Sequence, residues 1–263
     1  MPLPKTYSPS DFETGLDDLL NVGRFSEPFI NTGIPAEDPA SLTPADHWIL
    51  ARLQKLIQRV TRSMQDYEYA AAKNEVESFL WKDLADNYLE LAKQRLYSPA
   101  APGHGGASFT LYHVLLNTLK MMAPFLPYVT DALYRSLFAA FEGPASIHRS
   151  PWPIPLDRFD DAPSEQLGEI LVEIATAVRR YKSEHNLSLG SELNRIQLAP
   201  NSPALAAVLT GAATDLMSVT RARQVEVAAH LDPGLVELSC GDGSLKVGID
   251  LMARDQSFMI REE

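Results

Sequence analysis

From Glu68 to Tyr97 the chain carries a long helical pattern, with Ala71, Val76, Phe79, Leu80, Leu84, Leu91 and Leu96 returning at three- and four-residue steps. Steps of that size place apolar groups on one stripe of an α-helix, and a stripe this long must be buried against other helices. The part WKDLADNYLELAKQRLY, Trp81 to Tyr97, is unusual away from the stripe. It carries Trp81, Lys82, Asp86, Asn87, Glu90, Lys93 and Arg95, a mixture of aromatic, amide and charged groups rather than the uniform Glu and Lys of a solvated face.

The same periodicity organises most of the remaining chain. Ser8-Pro9-Ser10-Asp11 is a helix start, with a capping serine, proline in the first turn and an acid facing the positive end of the dipole. The helix that follows places Phe12, Leu16, Leu19, Leu20 and Phe25 on one side. Gly23 inside it costs about 1 kcal/mol in propensity, so either the helix has a weak point or a neighbour approaches closely there. Pro28 is expected to end or kink it. After a loop from Asn31 to Leu42, Thr43-Pro44-Ala45-Asp46 repeats the start signal, and Trp48, Ile49, Leu53, Leu56, Ile57, Val60 and Met64 keep helical step to about Asp66. The short connection around Tyr67 to Tyr69 predicts antiparallel pairing of this helix with the Trp81 helix.

Beyond a Pro/Gly/Ala-rich loop at Ser98 to Ser108, Leu111, Val114, Leu115, Leu119 and Met122 mark another helix, which Pro124 and Pro127 force to kink or restart near Phe125. Glu142 to Asp161 is irregular and proline-rich. Its His148 has no nucleophile or carboxylate at a catalytic spacing and reads as a structural residue. A helix over 163 to about 186 turns Leu167, Ile170, Leu171, Ile174 and Val178 inward and gathers Arg179, Arg180 and Lys182 near its C-terminus, where the dipole favours cations. After Gly190 the texture changes. NRIQLA, QVEVAA, LVELSC and LKVGIDL are short strand-like runs, Ser202 to Val219 is helical, and Asp-Pro-Gly and Gly-Asp-Gly form turns. The expected fold is mainly α, an antiparallel helical bundle over 1–190 followed by a small α+β module over 191–263.

With 263 residues, 45% hydrophobic and 22% charged, the chain is long enough for one large domain or two modest ones and falls outside the disordered and collagen-like classes. A single cysteine, Cys240, rules out an intrachain disulfide framework and fits a reducing cytosol. No run of about 18 apolar residues and no signal-peptide layout occur, so a cytoplasmic protein is expected. The net charge of −11 argues against gripping nucleic acid through bulk electrostatics. Local clusters run the other way, at Arg52, Lys55, Arg59 and Arg62, at Lys93 and Arg95, and at Arg179, Arg180 and Lys182.

Five segments in order, ADHWILARL (Ala45 to Leu53), the Trp81/Asp86/Tyr88/Leu89/Glu90 helix, APFLPYVTDALY (Ala123 to Tyr134), SIHRSPWP (Ser146 to Pro153) and AVRRYKSEHNLSL (Ala177 to Leu189), resemble the anticodon-binding region of the valyl-tRNA synthetases, class I aminoacyl-tRNA synthetases. Each segment alone is weakly specific; the ordered set is not. The resemblance implies a class I anticodon-binding bundle that holds the anticodon loop of a valine tRNA. Arg24, Phe25, Trp81, Asn87, Lys93, Arg95, Arg179 and Lys182 are the candidate contacts, with Trp81 or Phe25 stacking on bases and the cations meeting phosphates and base edges. It also implies packing on a class I catalytic domain in a full-length enzyme. The HIGH and KMSKS sequences of such a domain are missing, as are a Walker loop, Cys/His metal spacing and a Gly-x-Ser-x-Gly elbow, so the chain alone is expected to be non-catalytic and to bind no metal or cofactor, ATP and Mg belonging to the catalytic domain. The long coiled-coil arm that ends many bacterial members has no counterpart here. Two other readings fit the same residues: an interaction scaffold derived from such a domain, or the matching domain of an isoleucyl, leucyl or methionyl enzyme.

Overall fold

The computed structural model describes residues 9–30, 33–36, 38–240 and 243–251. They divide into two compact units, drawn from Met1–Glu37, Arg52–Ala85 and Ser108–Asp160 in one and from Asp38–Ala51, Asp86–Ala107 and Asp161–Glu263 in the other. The division does not follow the change of texture at 190: the strand-rich end of the chain shares its unit with helical segments from the middle of the sequence.

The first unit is helical. It contains α1 (Pro9–Ile30), the larger part of α2 (Pro44–Gln65), α3 (Tyr69–Ser78), most of α5 (His104–Met122), α6 (Pro127–Leu137) and the short α7 (Ala139–Glu142). Ser8, the expected cap of α1, and the side chains of Phe12 and Leu16 lie outside the described residues. Pro28 does not stop α1, which runs on to Ile30; a proline in the last turn disturbs only a few terminal bonds. Gly23 has its reason in α6, because a Cβ there would lie 2.5 Å from Leu133 Cδ2. Arg52 pairs with Asp83 at 2.9 Å and Arg59 with Glu75 at 2.7 Å, the earlier residue of α2 meeting the later residue of its partner, which is the expected antiparallel pairing. The break at the two prolines is a restart: α5 ends at Met122, and Pro127 opens α6 at a position that needs no N–H donor. Asp131 on α6 then accepts bonds from Ser146 Oγ (2.6 Å) and Ile147 N (3.0 Å), while His148 Nε2 lies 3.1 Å from Pro127 O, so the SIHR segment is tied down structurally.

The Trp81 helix departs from its expected geometry. Between α3 and α4 (Leu89–Tyr97) the backbone over Phe79–Tyr88 is π-helical, with i→i+5 pairing. The wider turn brings residues five apart closer to one side than an α-helix does, and Phe79, Leu84 and Leu89 are all buried. Ala71, counted on the stripe, is exposed and Ala72 takes the buried place.

The second unit combines the start of α2, α4, the start of α5 and α8 (Ala162–Glu184) with a four-stranded sheet of order β2-β1-β4-β3. Its strands are β1 (Leu193–Pro200), β2 (Ala222–Val227), β3 (Val236–Leu238) and β4 (Leu245–Leu251). β1 pairs parallel with β2 and antiparallel with β4, and the parallel pair needs the crossover that α9 (Pro203–Gly211) and α10 (Ala213–Thr220) supply. The single helix expected over Ser202 to Val219 is two, bent by 63° at Gly211-Ala212. β1 does not alternate as its sequence does, because Ile196, Gln197, Leu198 and Ala199 are all buried. Helices cover one face of this inner strand, and Gln197 Oε1 on the other accepts the backbone N–H of Asp232 at 2.6 Å. One core joins Leu171, Ile174 and Val178 of α8 to Ile196, Leu198, Val247 and Ile249 of the sheet, to Leu209 and Leu216 of the crossover, and to Ala45 and Leu91. Among the described residues no single helix is long and apolar enough to cross a membrane.

The expected class, helical with a small α+β module at the end, is therefore the observed one. A close helix contact lies in the second unit, where a Cβ on Gly168 of α8 would fall 2.1 Å from Cβ and Cγ of the buried Trp48. Gly168→Ala should lower stability by about 1–3 kcal/mol despite the better helix propensity of alanine. Urea unfolding checks this, and an unchanged midpoint would show that α8 and Trp48 do not pack so closely.

Candidate nucleic-acid interface

The candidate contacts separate by unit and by burial. In the first unit Arg24 is exposed near the end of α1, Phe25 is half-buried with its ring 5.5 Å from Phe29, and Trp81 is half-buried on the π-helical stretch. The second unit holds Asn87, Lys93, Arg95, Arg179 and Lys182. Two of these five are removed from any surface role.

Arg95 is fully buried. Its Nε donates to Asp215 Oδ1 (2.6 Å), Nη1 to Asp46 Oδ2 (2.9 Å) and Gly103 O (2.9 Å), and Nη2 to Asp46 Oδ1 (3.1 Å) and Asp215 Oδ2 (3.2 Å). All five guanidinium donors are thereby used inside the protein. The carboxylates are held in turn. Tyr88 OH donates to Asp46 Oδ1 (2.7 Å), Thr43 N to Asp46 Oδ2 (2.8 Å) and Thr43 Oγ1 to Asp215 Oδ2 (2.8 Å). Asp46 does answer the capping position of α2 as expected, and it also faces the arginine.

Lys182 is likewise buried, its Nζ donating to the carbonyls of Leu189 (3.2 Å), Ser191 (2.6 Å) and Thr220 (2.9 Å). The expectation that Arg95 and Lys182 meet RNA is corrected by this burial. Arg95 follows Leu91 by four residues and Lys182 follows Val178 by four, but Lys93 follows the buried Leu89 and Arg179 the buried Ala175 by the same step, so helical spacing alone does not single out the buried pair. Only the charge argued for the surface.

Three polar candidates remain at the surface of the second unit. Arg179 is half-buried and pre-oriented, with Nη1 donating to Asn87 Oδ1 (3.1 Å) and Nη2 to Asp86 O (2.8 Å). Asn87 thus positions the arginine with its carbonyl. Lys93 pairs with Glu90 at 2.9 Å, and Arg180 is exposed beside Arg179. Arg221 and Arg223, exposed cations at the junction of α10 and β2, are missed by the sequence pattern, because they fall between the expected helix ending at Val219 and the strand starting at Gln224. Among the described residues no cluster of His, Cys, Asp or Glu is arranged to hold a metal ion.

The electrostatics of the buried cluster follow from one cation between two acids. Burial opposes the charged guanidinium, yet Asp46 and Asp215 outweigh it and hold Arg95 above its ordinary range. Burial, with Asp46 as a neighbouring like charge, pushes Asp215 up to about 6 against the pull of Arg95. Tyr88 is driven well above its ordinary value by burial and by Asp46.

Residues 46–197, more than half of the chain, match the family described as the anticodon-binding domain of tRNA ligase. The chain belongs to that family. Over 214 residues, 80% of this chain, it is 39% identical to the valine--tRNA ligase of Methanopyrus kandleri, of which it spans 23%. It is 33% identical over 231 residues, 88% of this chain, to that of Thermococcus kodakarensis, spanning 24% of it. With the ligase of Anaplasma marginale the identity is 40% over 174 residues, 65% of this chain and 20% of the relative. The chain thus spans about a quarter of the length of these relatives. Asn87, Lys93, Arg95, Arg179 and Lys182 lie inside the matched stretch, as does Trp81; Arg24, Phe25, Arg221 and Arg223 lie outside it.

Two measurements check the buried cluster. Arg95→Leu leaves two carboxylates facing each other without a cation and should cost about 3–5 kcal/mol in urea unfolding. The folded state also holds the Asp215 proton more tightly than the unfolded chain does, so this group contributes most below about pH 4 and its contribution is lost as the pH rises through about 6. The stability difference between the native chain and Asp215→Asn should therefore shift against the native chain by roughly 2–3 kcal/mol across that window. A difference independent of pH would show that Asp215 does not titrate there.

Proposed function

We propose that this chain recognises the anticodon loop of a valine tRNA, as the anticodon-binding region of a valine--tRNA ligase. The observation that carries the reading is the similarity over 80% of the chain to a protein of that name, on top of the family match. The surface chemistry fits it. Arg179, fixed by Asn87 and the Asp86 carbonyl, offers a guanidinium edge in a set direction, the kind of group that meets a phosphate or a base edge bidentately. Lys93 and the exposed Arg180 add positive charge nearby in sequence or on the same helix. In the other unit Arg24 supplies a further cation, while Trp81 and Phe25 are half-exposed aromatics suited to stacking on unpaired bases.

A net charge of −11 fits this mode better than it fits general nucleic-acid binding, because a loop of a few unstacked bases needs local contacts rather than a broad basic surface. Activation of valine with ATP and Mg belongs, in this reading, to a class I catalytic domain on which the chain packs, and the chain by itself is non-catalytic. A cytoplasmic setting accords with its single cysteine.

A binding titration of the chain at about 50 mM salt tests the reading, with a valine tRNA set against one whose middle anticodon base is changed. The expected result is tighter binding of the unaltered tRNA, with Arg179→Ala and Trp81→Ala each losing about 1–3 kcal/mol. Equal affinity for the two tRNAs would overturn anticodon recognition.

A further inference from the structure

At the C-terminus of α8 the left-handed conformation is taken by Asn186 (φ 53°), a residue whose short amide tolerates it. At the C-terminus of α10 the same conformation falls on Arg221 (φ 62°), where glycine or asparagine would be the unstrained choice. The backbone of Arg221 is fastened on both sides, its N–H donating to Met217 O and its carbonyl accepting from Leu193 N, each at 3.0 Å. The preceding carbonyl, Thr220 O, takes a bond from Lys182 Nζ at 2.9 Å. A long cation has therefore been placed at a strained and rigidly held position with its side chain 44% exposed.

Its surroundings belong to α4. Ser218 Oγ donates to Glu90 O (2.7 Å) and accepts from Gln94 N (3.3 Å), which locks α10 onto α4. Arg221 Nη2 lies 3.8 Å from Glu90 Oε2, while Glu90 Oε1 accepts from Lys93 Nζ at 2.9 Å. Two cations from different elements thus flank one half-exposed carboxylate, and the trio carries one net positive charge on an anionic protein. The contact of Arg221 with Glu90 is beyond hydrogen-bond length, so it aims the guanidinium without saturating its donors.

We infer that Arg221 and Lys93 form a binding point for a phosphodiester group of the RNA strand, to which the C-terminal module contributes the arginine. A guanidinium fork beside an ammonium matches the oxygens of a phosphate, two adjacent cations meeting one anionic group, and such a contact positions the strand rather than reads its sequence. The inference rests on the RNA-binding reading but extends it beyond residue 197, where the match to the anticodon-binding family ends.

The test exploits the backbone. Arg221→Gly removes the cation while relieving the left-handed strain, so the variant should fold with an unchanged or higher melting temperature. Titrated with the same valine tRNA over a range of salt, it should bind roughly threefold to tenfold more weakly near 100 mM salt, with a log K against log salt slope shallower by about 1. Arg221→Lys should keep the slope of the native chain. A glycine variant with native affinity and slope overturns the phosphate contact while leaving anticodon recognition standing. Failure of the native chain to bind the tRNA at all would remove both.

Discussion

A single guanidinium shared by two carboxylates fixes how α4, α10 and the start of α2 meet in the second unit. Arg95 on α4 draws Asp46 from the start of α2 and Asp215 from α10 into the interior, and Thr43, Tyr88 and Gly103 complete the set of partners. Burying three charges carries a large desolvation cost, and such clusters often stabilise no more than an apolar packing of the same volume. Their effect is on choice. Any other arrangement of α4, α10 and the start of α2 would leave a charge or a strong donor unsatisfied in an apolar surrounding. This is the physical reason that the strand-rich end of the chain does not stand apart from the helices: α10 lies in its crossover and carries one of the two aspartates.

The cluster also sorts the cations of the domain. Arg95 and Lys182, which looked like neighbours of Arg179 in function, serve the interior by satisfying two aspartates and three carbonyls respectively. Among the described residues of this unit, Arg179, Arg180, Lys93 and Arg221 are each given a place by a helix or a helix end, and Arg195, Arg223 and Lys246 lie on the strands. In a chain with 34 acidic and 23 basic residues, a few cations held in fixed positions suit a small ligand surface better than a broad field would.

Packing required two departures from regular helix. The π-helical run Phe79–Tyr88 keeps Phe79, Leu84 and Leu89 buried at five-residue steps, and a regular α-helix would have carried them around the axis. Gly168 lets α8 settle against the indole of Trp48, where any side chain would collide. The residues on the sequence stripe are nearly all core residues. Ala71 is not, because a small residue next to another of its kind gives no preference for either phase. Likewise the π-helical widening left no trace in a count of three- and four-residue steps, since apolar residues five apart in this stretch are accompanied by others four apart.

By itself the sequence determined the helical class, the antiparallel pairing of α2 with the helix after it, the restart at the two prolines, the strands after Gly190 and the family to which the five ordered segments point. These follow from periodicity, turn chemistry and short-range order, all of which act over a few residues. Only the tertiary structure decided which charged residues turn inward. Arg95 meets Asp215 across 120 positions of sequence and Lys182 meets Thr220 across 38, and the dielectric surroundings of a side chain are set by groups that distant. Local pattern assigns a charge to solvent by default, and only the partner brought alongside by the fold can change that assignment.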